Sequence, residues 1–382
     1  MKRIFYLLII SLLCSACKAP VNVKNITEGD VEWLLSGAAL PGQQTEEFSI
    51  PNDRALYLTS EMQDFADRAV SGYAGLDKVT ALLGSLLYAS GLDLKYDVRA
   101  SFTAEETFFY GRANCLSFTN LFIAMARHVG MDAQYNEVDV PPIWDLRERN
   151  TLVLNKHVNA VVTTPDKIRH VIDLNVEEYE PTYEQRNISD SLAVAQHFNN
   201  KGMGYLLAGE YLHALRYLVK AISMEPHTSY LWNNLGSLYR RAGNIKAAEK
   251  AYLVALSEDA SDPRANSNVA RLYEEIGNQE LAAYYEKKAH HYRMRNPYFL
   301  YGLAQEAFAE KDYARAKEHI SDAIHRYDKE HRFYFLRGAI YQQIGDHHLA
   351  DVNFNKALEL SEDGEQQARY RSKMDRLSDI SS

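Results

Sequence analysis

The chain is 382 residues long, 46% hydrophobic and 24% charged, with 51 acidic against 42 basic side chains and a net charge of −9. That length holds two or three domains with ample core, and the composition is that of an ordinary soluble protein. With no basic tail and no Lys/Arg cluster, nucleic acid is excluded as the main partner.

The first residues are not fold. Lys2 and Arg3 precede an apolar run from Ile4 to Leu13, and Cys14-Ser15-Ala16-Cys17 follows. The run is too short to span a bilayer comfortably, and small residues stand before a cysteine. The stretch resembles a bacterial lipoprotein signal, which implies cleavage before Cys17 and acylation of its thiol. Such signals usually carry Leu three residues before the cysteine, where this chain has Cys14, and an ordinary signal peptide cut nearby is the alternative. On either reading the protein is exported, and its charge becomes −11 once Lys2 and Arg3 are removed. The expectation is a signal over 1–16, a lipid on Cys17, a tether over 17–45, and an anchor on the periplasmic face of the envelope. Lys18 is compatible with outer-membrane sorting. Cys115 is then the one thiol left, without a disulfide partner in a compartment where cysteines normally pair.

Within the tether a short helical patch is expected around Val31 to Leu35. Ser60 to Val70 and Leu76 to Ala89 follow as helices; the second carries Leu76, Val79, Leu82, Leu83, Leu86 and Leu87 on one face and is closed by Gly91. Thr103-Ala104-Glu105-Glu106 opens a short helix into Gly111. Residues 111–130, GRANCLSFTNLFIAMARHVG, form the next helix. Its apolar residues, Leu116, Phe118, Leu121, Phe122, Met125 and Val129, cover most of its circumference, so it is expected to be buried. Asn114 is placed to cap it, which puts Cys115 in the first turn. Unpaired N–H groups and the positive end of the helix dipole there favour a thiolate. The plain alternative is a small buried hydrophobe.

The period then changes. Over Thr151 to Val162, Leu152, Leu154, Val158, Ala160 and Val162 alternate with a face that carries Asn155, His157 and Asn159. Thr163 to Lys167 is a turn signal, and Ile168 to Leu174 is a second strand. A hairpin centred on Pro165 sets His157 opposite Asp173, with Cβ atoms roughly 5 Å apart on one face. A different turn type shifts that register by a residue.

From Val194 onward the sequence repeats every 34 residues. Gly202, Gly236, Ala270, Ala304 and Gly338 keep the step, as do Ala214, Ala248, Ala282, Ala316 and Ala350. So do Ala221, Ala255, Ala289, Ala323 and Ala357, while Gly209, Gly243, Gly277 and Gly345 mark the turn between two helices. Small residues recur where helices must approach closely. This pattern resembles the tetratricopeptide repeat. Five units cover residues 195–364, and Glu365 to Leu377 reads as a solvating capping helix.

Residues about 75–180 resemble the transglutaminase-like superfamily, a papain-related cysteine fold. The resemblance rests on Thr103-Ala104-Glu105-Glu106, Gly111, Cys115 heading a buried helix, the Gly130-Met131-Asp132-Ala133 turn, then His157 and Asp173 on successive strands. Where that family often has Gly-Val-Cys this chain has Ala113-Asn114-Cys115, and His157-Val158-Asn159 stands for His-Ala-Trp. The implied fold class is an α+β transglutaminase-like domain over 46–190, an all-α repeat solenoid over 191–364, and a capping helix and tail over 365–382.

The chemistry follows from the residue types. An imidazole takes the thiol proton and returns it to a leaving amine, and a carboxylate orients the ring. N–H groups at the helix start serve as an oxyanion hole. Water then gives hydrolysis and an amine gives transamidation. The expected function is a lipid-anchored thiol acyl-transfer enzyme whose array binds a protein or peptide. The alternative is an inactive scaffold that assembles other envelope proteins. No cofactor is called for, and the remaining histidines (His128, His170, His290-His291, His347-His348) lack companions at metal-ligand spacing. On the first helix of each repeat, the positions not used for packing include Tyr230, Arg240, Arg264, Arg271, Tyr298, Tyr301, Phe308, Arg332 and Phe335. A basic and aromatic inner groove on an acidic protein implies an extended acidic or aromatic-bearing polypeptide as partner.

Overall fold

A computed structural model describes residues 26–41, 49–139, 156–174 and 185–361, and also 367, 368, 370–372 and 374 of the last segment. The expected signal over 1–16, Cys17 and the first residues of the expected His157 strand, 151–155, lie outside them.

Three short helices come first: α1 (Glu28–Leu35), α2 (Ser60–Ala69) and α3 (Gly75–Leu87). The chain then builds β1 (Lys95–Tyr96), α4 (Ala104–Tyr110), β2 (Arg112–Ala113) and α5 (Cys115–His128). Thr103 and Glu106 close a capping box on α4, and Gly111 ends it at φ +63°, a conformation that a Cβ opposes. Asn114 caps α5 by accepting from the Ser117 N–H at 2.8 Å. Leu116 through Ile123, with Met125 and Ala126, are all buried, as the all-round apolar pattern requires.

Behind α5 stands an antiparallel sheet in the order β5-β4-β3-β6. Its strands are β3 (Asp132–Asp139), β4 (Lys156–Thr163), β5 (Arg169–Ile172) and β6 (Gln185–Ile188). Ala133, Tyr135, Val158, Ala160, Val162 and Ile172 from the sheet share one core with Phe118, Leu121, Phe122 and Met125 of α5. The alternation of β4 is thereby used as read: its apolar face packs on the helix. β6 carries no alternation signal, being a four-residue edge strand, QRNI, that is largely exposed.

The hairpin differs from its expected register. Ala160 pairs with Ile172 and Thr163 with Arg169, so the turn is centred one residue later than Pro165. Lys167 occupies the left-handed region at φ +68° and its N–H meets the Thr164 carbonyl at 2.8 Å. The shift is two residues across the ladder, which preserves the face each side chain uses. Asp173 therefore lies opposite Asn159 and diagonal to His157.

Five helix pairs follow among the described residues: α6 (Asp190–Leu207) with α7 (Tyr211–Met224), α8 (Ser229–Arg241) with α9 (Ile245–Glu258), α10 (Pro263–Glu275) with α11 (Gln279–Arg293), α12 (Pro297–Ala309) with α13 (Tyr313–Arg326), and α14 (His331–Ile344) with α15 (His347–Leu360). The small residues mark the closest approach within each pair. A Cβ on Gly236 falls 2.4 Å from the Tyr252 ring, and one on Gly338 falls 2.6 Å from the Phe354 ring. Where the facing position holds Glu286 or Ile320 instead of a ring, the small residue is alanine, Ala270 or Ala304. The fourth repeat lacks the turn glycine, and Lys311 takes its left-handed conformation at φ +63°. At the far end, Tyr370 is buried and stacks on Phe335 with ring centroids 4.3 Å apart.

The stretch read as a tether does more than span. Leu34 is fully buried in the core of the array, Asp30 pairs with Lys250 on α9 at 2.9 Å, and the Asn244 amide donates to the Ala39 carbonyl at 2.7 Å. The Tyr239 hydroxyl donates to the Leu34 carbonyl. The Trp33 and Leu34 apolar pair supplies the reason: it finds cover on the second repeat.

Candidate active site

Cys115 is the first residue of α5 and half-buried. The N–H groups of Cys115 and Leu116 make no hydrogen bond to the described residues, since the Asn114 side chain is spent on Ser117. Two donors at the positive end of a 14-residue helix therefore stand beside the sulfur. The Thr119 hydroxyl lies 2.8 Å from the Cys115 carbonyl and 3.1 Å from the Val158 carbonyl of β4. It ties the first turn of the helix to the residue next to His157.

His157 and Asp173 are both buried, their side chains 3% exposed, and His157 Nε2 lies 2.5 Å from Asp173 Oδ2. With Nε2 committed to the carboxylate, Nδ1 is the ring nitrogen left for Cys115. Burial by itself pushes His157 down; the hydrogen bonds to Asp173 and to Cys115, with their charges, outweigh it and hold the imidazole proton up to about 10. An imidazolium between two acidic groups is the charge-separated form a cysteine nucleophile uses.

The sulfur, the imidazole and the carboxylate lie within 4.8 Å of one another, a donor set that by type also suits zinc. Two ligands of a tetrahedral zinc at about 2.0–2.1 Å sit roughly 3.3 Å apart. The 2.5 Å between His157 and Asp173 is a proton-sharing distance instead. The arrangement suits proton transfer better than metal coordination.

Residues that motif reading passed over also belong here. Asn159 donates to Asp173 Oδ2 at 3.1 Å, and Asn136 donates to Asn159 Oδ1 at 2.9 Å. The alternation that set His157 on the polar face set Asn159 there too, so the signal was present; what it bonds was not readable.

Residues 66–173 match the transglutaminase-like superfamily, and 199–263 and 331–363 match the tetratricopeptide repeat. The chain carries a transglutaminase-like domain followed by tetratricopeptide repeats. Among curated proteins, the TPR repeat-containing protein MJ1428 of Methanocaldococcus jannaschii is 26% identical over 162 residues, 40% of this chain. The chain spans 28% of the length of that relative. Among solved structures, MamA 41-end from Desulfovibrio magneticus is 19% identical over 45% of this chain and 96% of its own, with a TM-score of 0.25. The pilF protein of Pseudomonas aeruginosa is 19% identical over 50% of this chain and 94% of its own, with a TM-score of 0.27.

The transglutaminase-like domain and the array are joined by buried and part-buried polar contacts. Glu137 of β3 is 1% exposed and accepts from Arg186 Nη2 at 2.6 Å and from Gln196 Nε2 of α6 at 3.1 Å. Lys201 of α6 reaches Asp53 at 3.0 Å and Glu106 at 3.6 Å, and the Tyr217 hydroxyl donates to Asp53 at 2.8 Å. The second acidic residue of the Thr-Ala-acidic motif thus caps α4 and faces the array's lysine.

The expected groove residues all sit on first helices of the repeats: Tyr230 and Arg240 on α8, Arg264 and Arg271 on α10, Tyr298, Tyr301 and Phe308 on α12, Arg332 and Phe335 on α14. Three of the four arginines already face carboxylates. Arg240 pairs with Glu275 at 2.8 Å, Arg264 with Asp262 at 3.2 Å and Arg332 with Glu330 at 2.8 Å. Arg264 also lies over the Tyr230 ring and Arg332 over the Tyr298 ring. Arg271 is exposed and makes no ion pair with the described residues. The basic character of this face is therefore smaller than the residue types alone suggest.

Proposed function

We propose that this protein is an exported, lipid-anchored thiol acyl-transfer enzyme whose repeat array holds a protein or peptide. The observation that carries the reading is His157 held between Cys115 and the Asp173 carboxylate, with its proton retained to about 10. In the proposed cycle the Cys115 sulfur attacks an amide carbonyl and a C–S bond forms. The developing oxyanion is met by the N–H groups at the start of α5. The C–N bond breaks as His157 passes its proton to the leaving amine, giving a thioester on Cys115. Water or a second amine, relieved of a proton by His157, then releases the acyl group as acid or new amide. Asp173 holds the ring throughout.

The anchor is the lipid expected on Cys17, on the periplasmic face of a bacterial envelope. An extended acidic or aromatic-bearing polypeptide lies along the first helices, where Tyr230, Tyr298, Tyr301, Phe308 and Phe335 are half-buried and Arg271 brings a charge unpaired among the described residues.

The test is intact mass after incubation with p-nitrophenyl acetate. Wild type should gain one acetyl on Cys115, Cys115→Ala none, and His157→Ala should acylate slower by several orders of magnitude. An undiminished adduct in Cys115→Ala, or wild-type Cys115 reacting no faster than a free thiol, sinks the enzyme reading and leaves the assembly scaffold. For the anchor, Cys17→Ser should move the protein out of the membrane fraction. Pull-downs from envelope extract with Arg271→Glu should lose salt-sensitive partners; an identical partner profile removes the groove from the account.

A further inference from the structure

Asp173 stands one residue beyond the last ladder pair of β5, Ala160 with Ile172. Beyond the ladder, side-chain donors bear on the rotation of its carboxylate. Oδ2 receives two donors, His157 Nε2 at 2.5 Å and Asn159 Nδ2 at 3.1 Å. We propose that Asn159 is a positioning residue for the acyl-transfer chemistry, holding the Asp173 carboxylate so that one chosen oxygen stays on the His157 ring. This rests on the catalytic reading above and adds to it a residue outside the Cys-His-Asp set.

An ionised carboxylate only accepts, so Asn159 must turn its nitrogen to Asp173 and its oxygen toward β3. There Asn136, its direct partner in the ladder, presents Nδ2 at 2.9 Å, and the same Nδ2 lies 3.1 Å from Gln185 Oε1 on β6. Each carboxamide orientation follows from the one before, starting at the carboxylate. The result is a polar row running from the end of β5 through β4 and β3 to β6, and Asn159 and Asn136 within it are fully buried.

Such a row is a poor way to stabilise a sheet. Asn136 Oδ1 is buried without a hydrogen-bond partner, and a pair of apolar side chains in the two positions avoids that cost. What apolar side chains cannot do is donate to Asp173. The Asn159 donor on Oδ2 opposes the rotation about Cβ–Cγ that exchanges the two oxygens, and so keeps Oδ1 off the ring. His157 Nδ1 is then aimed at Cys115 rather than wandering with the acid. The position is two after the histidine, where transglutaminase-like domains often carry tryptophan, so this chain meets the need with a carboxamide.

The test separates positioning from packing. Asn159→Leu keeps the branching and the heavy-atom count of the side chain, and Asn136→Leu/Asn159→Leu also removes the polar group the single change leaves unpaired. The full chain, labelled with 15N-histidine, is titrated by NMR with His157 assigned by its absence in His157→Gln. Acetylation of Cys115 by p-nitrophenyl acetate is followed by intact mass. In both variants the His157 midpoint should fall by at least one pH unit, a tenfold loss of proton affinity, and acetylation should slow about tenfold. The double variant should regain thermal stability without regaining either. Asn159→Ser, too short to reach Asp173, makes the same prediction if a leucine variant does not fold. A folded variant with unchanged midpoint and rate overturns the proposal. A wild type that never acetylates Cys115, with a midpoint that still drops in the variants, overturns the acyl-transfer reading and leaves the positioning role standing.

Discussion

Replacing Asp173 by asparagine keeps the shape of the side chain and removes its charge. In the wild type, His157 keeps its proton up to about 10 against an ordinary value of 6.5, a large upward displacement. Burial alone acts the other way, so the two acidic neighbours together supply all of it and more. Loss of one opposite charge at hydrogen-bond distance is worth roughly 1–3 units, or about 1.4–4 kcal/mol of differential interaction. The Asp173→Asn midpoint should therefore fall to between about 7 and 9. In the wild type the folded form holds a proton that the unfolded form loses above 6.5. The stability that His157 contributes is thus complete below 6.5 and is lost as pH rises toward 10. Asp173→Asn should narrow that window from its alkaline end. The measurement is the 15N titration of the His157 ring from pH 5 to 11, with chemical unfolding at pH 6 and pH 9. At pH 9 the wild-type ring should still be mostly imidazolium and the variant half neutral or more. A variant midpoint equal to the wild type would refute the claim that the 2.5 Å contact holds the proton.

Three other outcomes follow from the packing. Gly236→Ala drives a methyl to 2.4 Å from the Tyr252 ring; overpacking of about 1–3 kcal/mol outweighs the helix gain of about 1 kcal/mol. Urea unfolding should show a net loss of up to about 2 kcal/mol, and adding Tyr252→Leu should recover most of it. Lys311→Gly relieves the left-handed backbone at φ +63° and should raise stability by about 0.5–1 kcal/mol in a thermal melt. His197 is fully buried, and burial with the nearby Lys201 charge pushes it down to about 3. The unfolded chain takes that proton first, so stability is full above 6.5 and falls as pH drops toward 3; His197→Leu should move the acid-unfolding midpoint to lower pH.

Much of this architecture is local and therefore legible in one sequence. The 34-residue step, the turn glycines and the small residues at helix contacts recur because each repeat packs mainly within itself and on its neighbours. The Asn114 cap and the buried, all-round apolar helix behind Cys115 follow from short-range rules of the same kind. Side-chain alternation was enough to put His157 and Asp173 on one face, since a ladder shifted by two residues keeps every side chain on its side.

What alternation could not decide was which donor meets which acceptor. The turn conformation at Lys167 set the register, and with it the pairing of Asp173 with Asn159 as well as His157. Asn136 and Gln185 enter from strands 23 and 49 residues away from their partners in that row, separations at which no periodicity speaks. The docking of α1 on the second repeat is of the same kind: an eight-residue helix has too little apolar surface to announce its partner, and the fold alone brings Lys250, Asn244 and Tyr239 to it. Sequence determined the repeats, the helix that carries the thiol and the residue types available for chemistry. Tertiary structure decided the distances among them, because a hydrogen bond depends on tenths of an ångström that only the packing of remote segments sets.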